Sequence, residues 1–199
     1  MDAEEFLKRR ADGETDFRRT DLKKIDLHGA DLRGVDLRGS DFTQANLNGA
    51  NLSGCRLAQA RVCGVTLQGA SLRGSDLSEA DVHASDLRGA DLRHARVLKT
   101  NFEKSDLASA DLRGACLAGA RFARAHLVGV NGQGADFRGA LFQRAKMVRA
   151  RLTGANLEGS DLSDADLGSA ILLGVVLTGA NLTNTRFGGA IMPDGNVYE

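Results

Sequence analysis

Proline is nearly absent from this chain. It occurs once in 199 residues, against about 5% in average proteins, whereas glycine occurs 24 times. No run of 18 apolar residues occurs, which excludes a membrane-spanning helix of ordinary length. The start, Met1-Asp2-Ala3-Glu4-Glu5, is acidic and lacks the apolar stretch of a secretory leader. Only three cysteines occur, at 55, 63 and 116, odd in number and irregular in spacing. They make no disulfide framework and fit a reducing compartment, so a cytoplasmic location is expected. Net charge is absent too, with 26 basic and 26 acidic residues. That balance favours neither a nucleic-acid binder nor a nucleic-acid mimic, and direct nucleic-acid binding is not expected. No phosphate loop, nucleotide fingerprint or His/Cys cluster of established metal spacing is present. The expectation is therefore a non-enzymatic chain with no catalytic residue, cofactor or metal.

What the chain does have is a beat of five. From Phe17 to Met192, every fifth residue is a large apolar one, here called the centre. Of 36 centres, 35 are Leu, Phe, Val or Met, and Gly132 is the exception. A small or β-branched residue stands two before each centre, as in Ala30-Asp31-Leu32-Arg33-Gly34. Apolar residues two apart make a short extended piece, and the next two residues must turn the chain. A helix is excluded, because a period of five scatters the centres around a 3.6-residue turn. Short extended pieces joined by regular corners wind into a coil with the centres buried along its axis.

The motif A(D/N)LxG, seen in Ala30–Gly34, Ala50–Gly54 and Ala155–Gly159, resembles the pentapeptide-repeat family. The resemblance implies an all-β solenoid, a right-handed quadrilateral β-helix with four repeats per coil and residues 20 apart stacked. Thirty-six repeats then give about nine coils, and a shaft of about 43 Å at the usual strand spacing. Two biases fit a period of twenty. Phe42, Phe102, Phe122 and Phe142 fall on one side, and that side has a single Gly among nine corner residues. A different turn type is expected at that Gly-poor corner, since Gly serves where φ is positive.

Residues 1–14 read as a lead-in with a capping helix over 2–11. Asp2 and Glu5 match a capping box, and Gly13 is a stop. The repeat shaft is assigned to 15–194 and a short tail to 195–199. These caps resemble those of cyanobacterial members. At Gly132, Val130 is expected to refill the space of the missing centre, since a buried Leu contributes roughly 1.5–3 kcal/mol.

Cys63, His83 and Glu103 are 20 apart, with Asp81 beside His83, and form a ladder on one face. The residue types suit a Cys-His-acid nucleophile or a zinc site. A flat shaft face offers no pocket to exclude water and no oxyanion donors, so no role is assigned to them. Arg33, Arg73, Arg93 and Arg113 form an arginine column, neutralised where Asp31, Asp91 and Asp111 stand two residues earlier.

Charge is uneven along the chain. Residues 101–150 carry 8 basic and 4 acidic groups, whereas 151–199 carry 2 and 6. Lys104, Arg124 and Arg144 lie on the Gly-poor corner, with Arg121, Lys146 and Arg149 near in sequence. This basic ridge is the candidate surface for an acidic partner. Near the C-terminus, outward positions turn apolar at Leu141, Ile171, Leu173, Val176 and Ile191, followed by Tyr198. They are the candidate homodimer interface, since end-to-end dimers occur in the resembled family. The leading expectation is a rigid rod acting as a protein-interaction or regulatory module with an unidentified protein partner. The alternative is a DNA-mimicking, gyrase-interacting protein that protects against quinolones. Neutral charge, an unbroken register and the basic ridge count against it.

Overall fold

A computed structural model describes residues 1–199. The only helix, α1 (Ala3–Ala11), is capped by Asp2, whose Oδ1 accepts the Glu5 N–H at 2.9 Å. It buries Phe6 against Phe17, with ring centroids 4.3 Å apart. Basic residues in its last turn suit the negative end of the helix.

From Asp16 on, the residue before each centre pairs in parallel with the residue 20 later, from Asp16↔Asp36 to Ile171↔Ile191. Four repeats therefore complete each turn of the chain. The pairings are isolated bridges, because each side holds too few extended residues for a regular strand. The four faces are named here by their first centres: Phe17, Leu22, Leu27 and Leu32.

The consensus follows from where the five N–H groups of a repeat go. In the repeat around Leu52, the Ala50 N–H closes the preceding corner on the Leu47 carbonyl. Asn51 donates to Ala30 in the coil before it, and Leu52 and Gly54 donate to Ser71 and Arg73 in the coil after it. The remaining N–H, of Ser53, donates to the side chain of Asn51 at 3.1 Å. Asp or Asn before the centre thus completes the set from outside the shaft. The second residue after the centre has φ between 53° and 71° at every corner from 19 to 189.

That uniformity overturns the expected difference at the Gly-poor corner. Lys104, Arg124 and Arg144 each have φ of 59°, in the same left-handed region as the glycines elsewhere. The turn has one backbone sign on all four sides, and scarcity of Gly there reflects side chains, not a second turn type.

Inside, 58 buried residues make one continuous apolar cluster. Phe102, Phe122 and Phe142 stack on the Leu22 face at 5.1 and 5.0 Å. Buried hydroxyls other than Ser160 are paired to the backbone: Ser85 Oγ donates to the Val62 carbonyl at 2.6 Å and accepts the Val65 N–H at 3.1 Å. Gly132 is refilled differently from the expectation. The atoms nearest to where its Cβ would stand are Leu152 Cδ2 at 2.9 Å and the Phe137 ring at 3.1 and 3.2 Å. Phe137, a large centre on the neighbouring face, fills the gap instead of Val130, because its ring spans the interior.

Candidate interaction surfaces

Much of the outside is self-neutralised. Wherever Asp precedes a centre and Arg follows it, the two are bonded on one strand. Asp31 accepts from Arg33 Nε and Nη2 at 2.8 and 2.6 Å, and Asp91 and Asp111 hold Arg93 and Arg113 similarly. Hydrogen bonds from the arginine side chains pull Asp16 and Asp31 down to about 2. The arginine column is therefore paired at 33, 93 and 113, as its spacing implies. Such exposed pairs contribute little, roughly 0–1 kcal/mol each.

On the Leu22 face the pattern changes. Cys63 is buried, and its thiol donates to Asp81 Oδ2 of the next coil at 3.3 Å. Asp81 Oδ1 lies 2.9 Å from His83 Nδ1 and accepts from Asn101 Nδ2 at 2.9 Å. Burial, followed by the bond to Asp81, pushes the Cys63 thiol up to about 11. Burial opposes ionisation of Asp81, but bonds from His83 and Cys63 hold its carboxyl below the ordinary range. A thiol of that acidity is protonated at neutral pH and is no nucleophile. Glu103, the fourth residue of the ladder, turns away to pair with Arg121.

The basic ridge lies along the edge between the Leu22 and Leu27 faces. Lys104, Arg124 and Arg144 occupy one corner on successive coils and line a shallow recess with Glu103, Ala123 and Gln143. Arg121 is on the adjoining Leu22 face, paired with Glu103, and Arg144 approaches Asp164 at 3.6 Å. Lys146 is on the Leu27 face, bridged to His126. Arg149 stands at the far corner of that face, apart from the other five. Lys104, Arg124, Lys146 and Arg149 form no ion pair.

A second cationic recess, under α1, escaped the sequence. Arg9, Arg18, Arg19 and Arg38 line it with Asp16, Thr20 and Gln59. Arg18 and Arg38 are 20 apart and legible as a stack. Arg9 arrives only through docking of α1, which no periodicity places. Three of the four are paired, with Glu14, Asp16 and Asp36, leaving Arg19 unpaired.

At the C-terminal end, the six apolar candidates divide among faces. Ile171, Leu173 and Ile191 share the Leu32 face, Val176 is on the Phe17 face, and Leu141 is on the Leu22 face. Leu173 and Val176 are exposed, whereas Leu141, Ile171 and Ile191 are partly buried. The tail folds back: Val197 pairs antiparallel with Ile191, and Tyr198 lies 5.6 Å from Phe187. That covers half of the last coil. On the other half, Leu182 is 36% exposed, and the backbone N–H groups of Leu177, Gly179, Leu182 and Asn184 have no partner.

The family model for pentapeptide repeats matches residues 13–49, 45–83, 85–122, 120–159 and 160–194. Among solved structures, HetL, a pentapeptide repeat protein involved in heterocyst differentiation regulation from the cyanobacterium Nostoc sp. strain PCC 7120, is 34% identical. The match covers 100% of both chains with a TM-score of 0.41. The pentapeptide repeat protein alr5209 from Nostoc PCC 7120 is 33% identical over 51% of this chain and 82% of its own, with a TM-score of 0.48. AT2G44920, from the Arabidopsis thaliana thylakoid lumen, is 34% identical over 53% of this chain and 70% of its own, with a TM-score of 0.41. No curated protein matches. No helix is long and apolar enough to cross a membrane.

Proposed function

The chain belongs to the pentapeptide-repeat family, and on that premise we propose that it is a non-enzymatic rod that binds a protein partner through its surface. Its architecture in this reading is a right-handed quadrilateral β-helix of about nine coils over residues 15–194. Residues 1–14 form the N-terminal cap and 195–199 the tail. The location in this reading is cytoplasmic.

One observation carries the reading: the stack of Lys104, Arg124 and Arg144 along one edge, with Arg121 and Lys146 flanking it. Elsewhere on the shaft, Arg18, Arg33, Arg38, Arg88, Arg93, Arg113 and Arg138 are neutralised on their own strand, and Arg73, Arg96, Arg151 and Arg186 stand unpaired on other faces. Here Lys104 and Arg124 project from successive coils without an ion pair. Unneutralised like charges a strand spacing apart repel one another, and an acidic surface relieves that repulsion. Arg149 belongs to the same basic quarter but serves a partner only if it wraps across the Leu27 face.

The test is a pull-down from native lysate with the wild-type chain and with Lys104→Glu/Arg124→Glu/Arg144→Glu. A protein retained by the first and lost with the second is the expected result. Retention of the same proteins by both overturns the assignment of the ridge.

Homodimerisation through the C-terminal end is a second part of the proposal. The exposed Leu173, Val176 and Leu182 and the unpaired backbone edge support it. A monomeric mass at micromolar concentration refutes it. Gyrase interaction gains no support from the neutral net charge, and an unchanged supercoiling assay, with and without quinolone, is the expected outcome.

A further inference from the structure

The Leu22 face holds the one place where a sulfur, a carboxylate and an imidazole converge. Their ligand atoms, one each from Cys63, Asp81 and His83, all lie within 4.8 Å of one another. We propose that these three side chains form a binding site for one thiophilic divalent cation, of which Zn(II) is the type. The proposal goes beyond the partner-binding reading and does not depend on it.

The fold brings the three together by its own register. Asp81 and His83 flank the centre Val82 on one strand, so both point outward. Cys63 occupies the position of His83 one coil earlier, and the Arg61↔Asp81 bridge sets that register. The short corners fix both strands, so the donors need no loop to order them.

Distances suit a small cation. Zinc holds sulfur at about 2.3 Å and nitrogen or oxygen at about 2.0–2.2 Å, so tetrahedral donors stand roughly 3.3–3.6 Å apart. The Cys63 sulfur is 3.3 Å from Asp81 Oδ2, and His83 Nδ1 is 2.9 Å from Asp81 Oδ1, so the carboxylate turns one oxygen to each of the other two donors. Closing the third side, from sulfur to imidazole, requires rotation of the side chains from atoms already within 4.8 Å of one another. Asn101 Nδ2 donates to Asp81 Oδ1 at 2.9 Å, the kind of outer contact that orients a ligating carboxylate. Coordination displaces the thiol proton, and thiolate plus carboxylate then balance the dication. Arg61, on the strand of Cys63, is drawn toward Asp41 at 3.7 Å. Glu103 is held by Arg121, which leaves water for the fourth position. The flat face that argues against catalysis does not argue against binding, because a cation needs donors and not a closed pocket.

The shaft contains its own control. Asp26 and His28 repeat the Asp-x-His arrangement at 3.7 Å, with no sulfur near them. Elsewhere an outward Asp is mostly matched by Arg, which excludes a metal. Only at Cys63 do all three donor types meet.

The experiment is titration of the purified full chain with Co(II), then Zn(II), in a Cys116→Ser background, because Cys116 is an exposed thiol. The expected result is a thiolate-to-cobalt charge-transfer band that saturates at one equivalent and is bleached by zinc. Cys63→Ser abolishes the band, and His83→Ala and Asp81→Asn weaken cobalt binding by about tenfold or more. Asp26→Asn/His28→Ala leaves it unchanged. Circular dichroism confirms that each variant is folded, and zinc protection of Cys63 from alkylation in the unsubstituted chain is a second readout. Absence of a band, its persistence in Cys63→Ser, or failure of zinc to protect Cys63 overturns the proposal.

Discussion

Restoring the consensus at Gly132 should destabilise the protein. Leu is the commonest residue at this position, at 23 of 36 centres, so Gly132→Leu looks like a repair that gains roughly 1.5–3 kcal/mol of burial. The structure reverses the sign. A bare Cβ at Gly132 would already stand 2.9 Å from Leu152 Cδ2 and 3.1 Å from the Phe137 ring. The three further carbons of Leu must enter the space that ring occupies. Overpacking of this kind costs about 1–3 kcal/mol. Phe137→Leu alone should also destabilise, by about 1–2 kcal/mol, because it leaves a cavity where Phe137 packs against Phe122 and Phe142. Combined, the two changes rebuild the repeat on both faces, and most of the loss should return. The coupling between them should be about 1–3 kcal/mol in the favourable direction. Urea unfolding followed by circular dichroism reads all four proteins. A solenoid need not unfold in one step, so slopes are compared along with midpoints. A higher midpoint for Gly132→Leu alone, or additive losses in the double variant, would refute this account of the packing.

Two further outcomes are expected. Ser85→Ala should lose about 1–3 kcal/mol, because it strips the Val65 N–H and the Val62 carbonyl of a buried partner. Ser160→Ala should be neutral or stabilising in the same urea assay, since the Ser160 hydroxyl is buried without a partner; equal effects of the two would sink the hydrogen-bond argument. In acid, Asp16 and Asp31 have folded values of about 2, below the ordinary 3.8. A depressed carboxyl stabilises the fold fully above its unfolded value and loses that contribution as pH falls through the folded one. Thermal midpoints should therefore decline between about pH 4 and pH 2, less steeply in Asp16→Asn/Asp31→Asn. A decline confined to higher pH would contradict the assignment.

The period of five made most of the interior legible. It identifies the centres, and the Phe stack on the Leu22 face follows from spacing alone. The Asp-x-Arg pairs were equally readable, because residues flanking a centre share a side. What failed depended on contacts between faces. Val130 is the filler that the sequence suggests, because it replaces the usual Ala two residues before Gly132, but the ring that reaches the gap belongs to the next face. Arg9 joins Arg18, Arg19 and Arg38 only because α1 docks on the first coil, and docking has no period. Arg149, near Lys146 in the chain, is carried to another edge by one corner.

The turn chemistry was misread for a more instructive reason. Glycine marks positive φ, so its scarcity beside the Leu22 face implied another conformation. In fact Lys104, Arg124 and Arg144 hold left-handed backbone, where a side chain costs roughly 1–2 kcal/mol relative to ordinary geometry. Glycine would relieve that strain at a smaller entropic cost, so the backbone gives no reason for their presence. Packing gives none either, since the corner residues point into solvent. Their stacking adds mutual repulsion to the strain. Thirteen other corner residues also carry a side chain in this conformation, so the strain alone does not mark the ridge; its distinction is three cations on consecutive coils, which is what the proposed binding edge needs. The same face carries Cys63, Asp81 and His83, where the Asp-x-Arg neutralisation of the shaft is also given up. The proposed metal site and the proposed partner-binding ridge thus lie side by side, on one face and its edge.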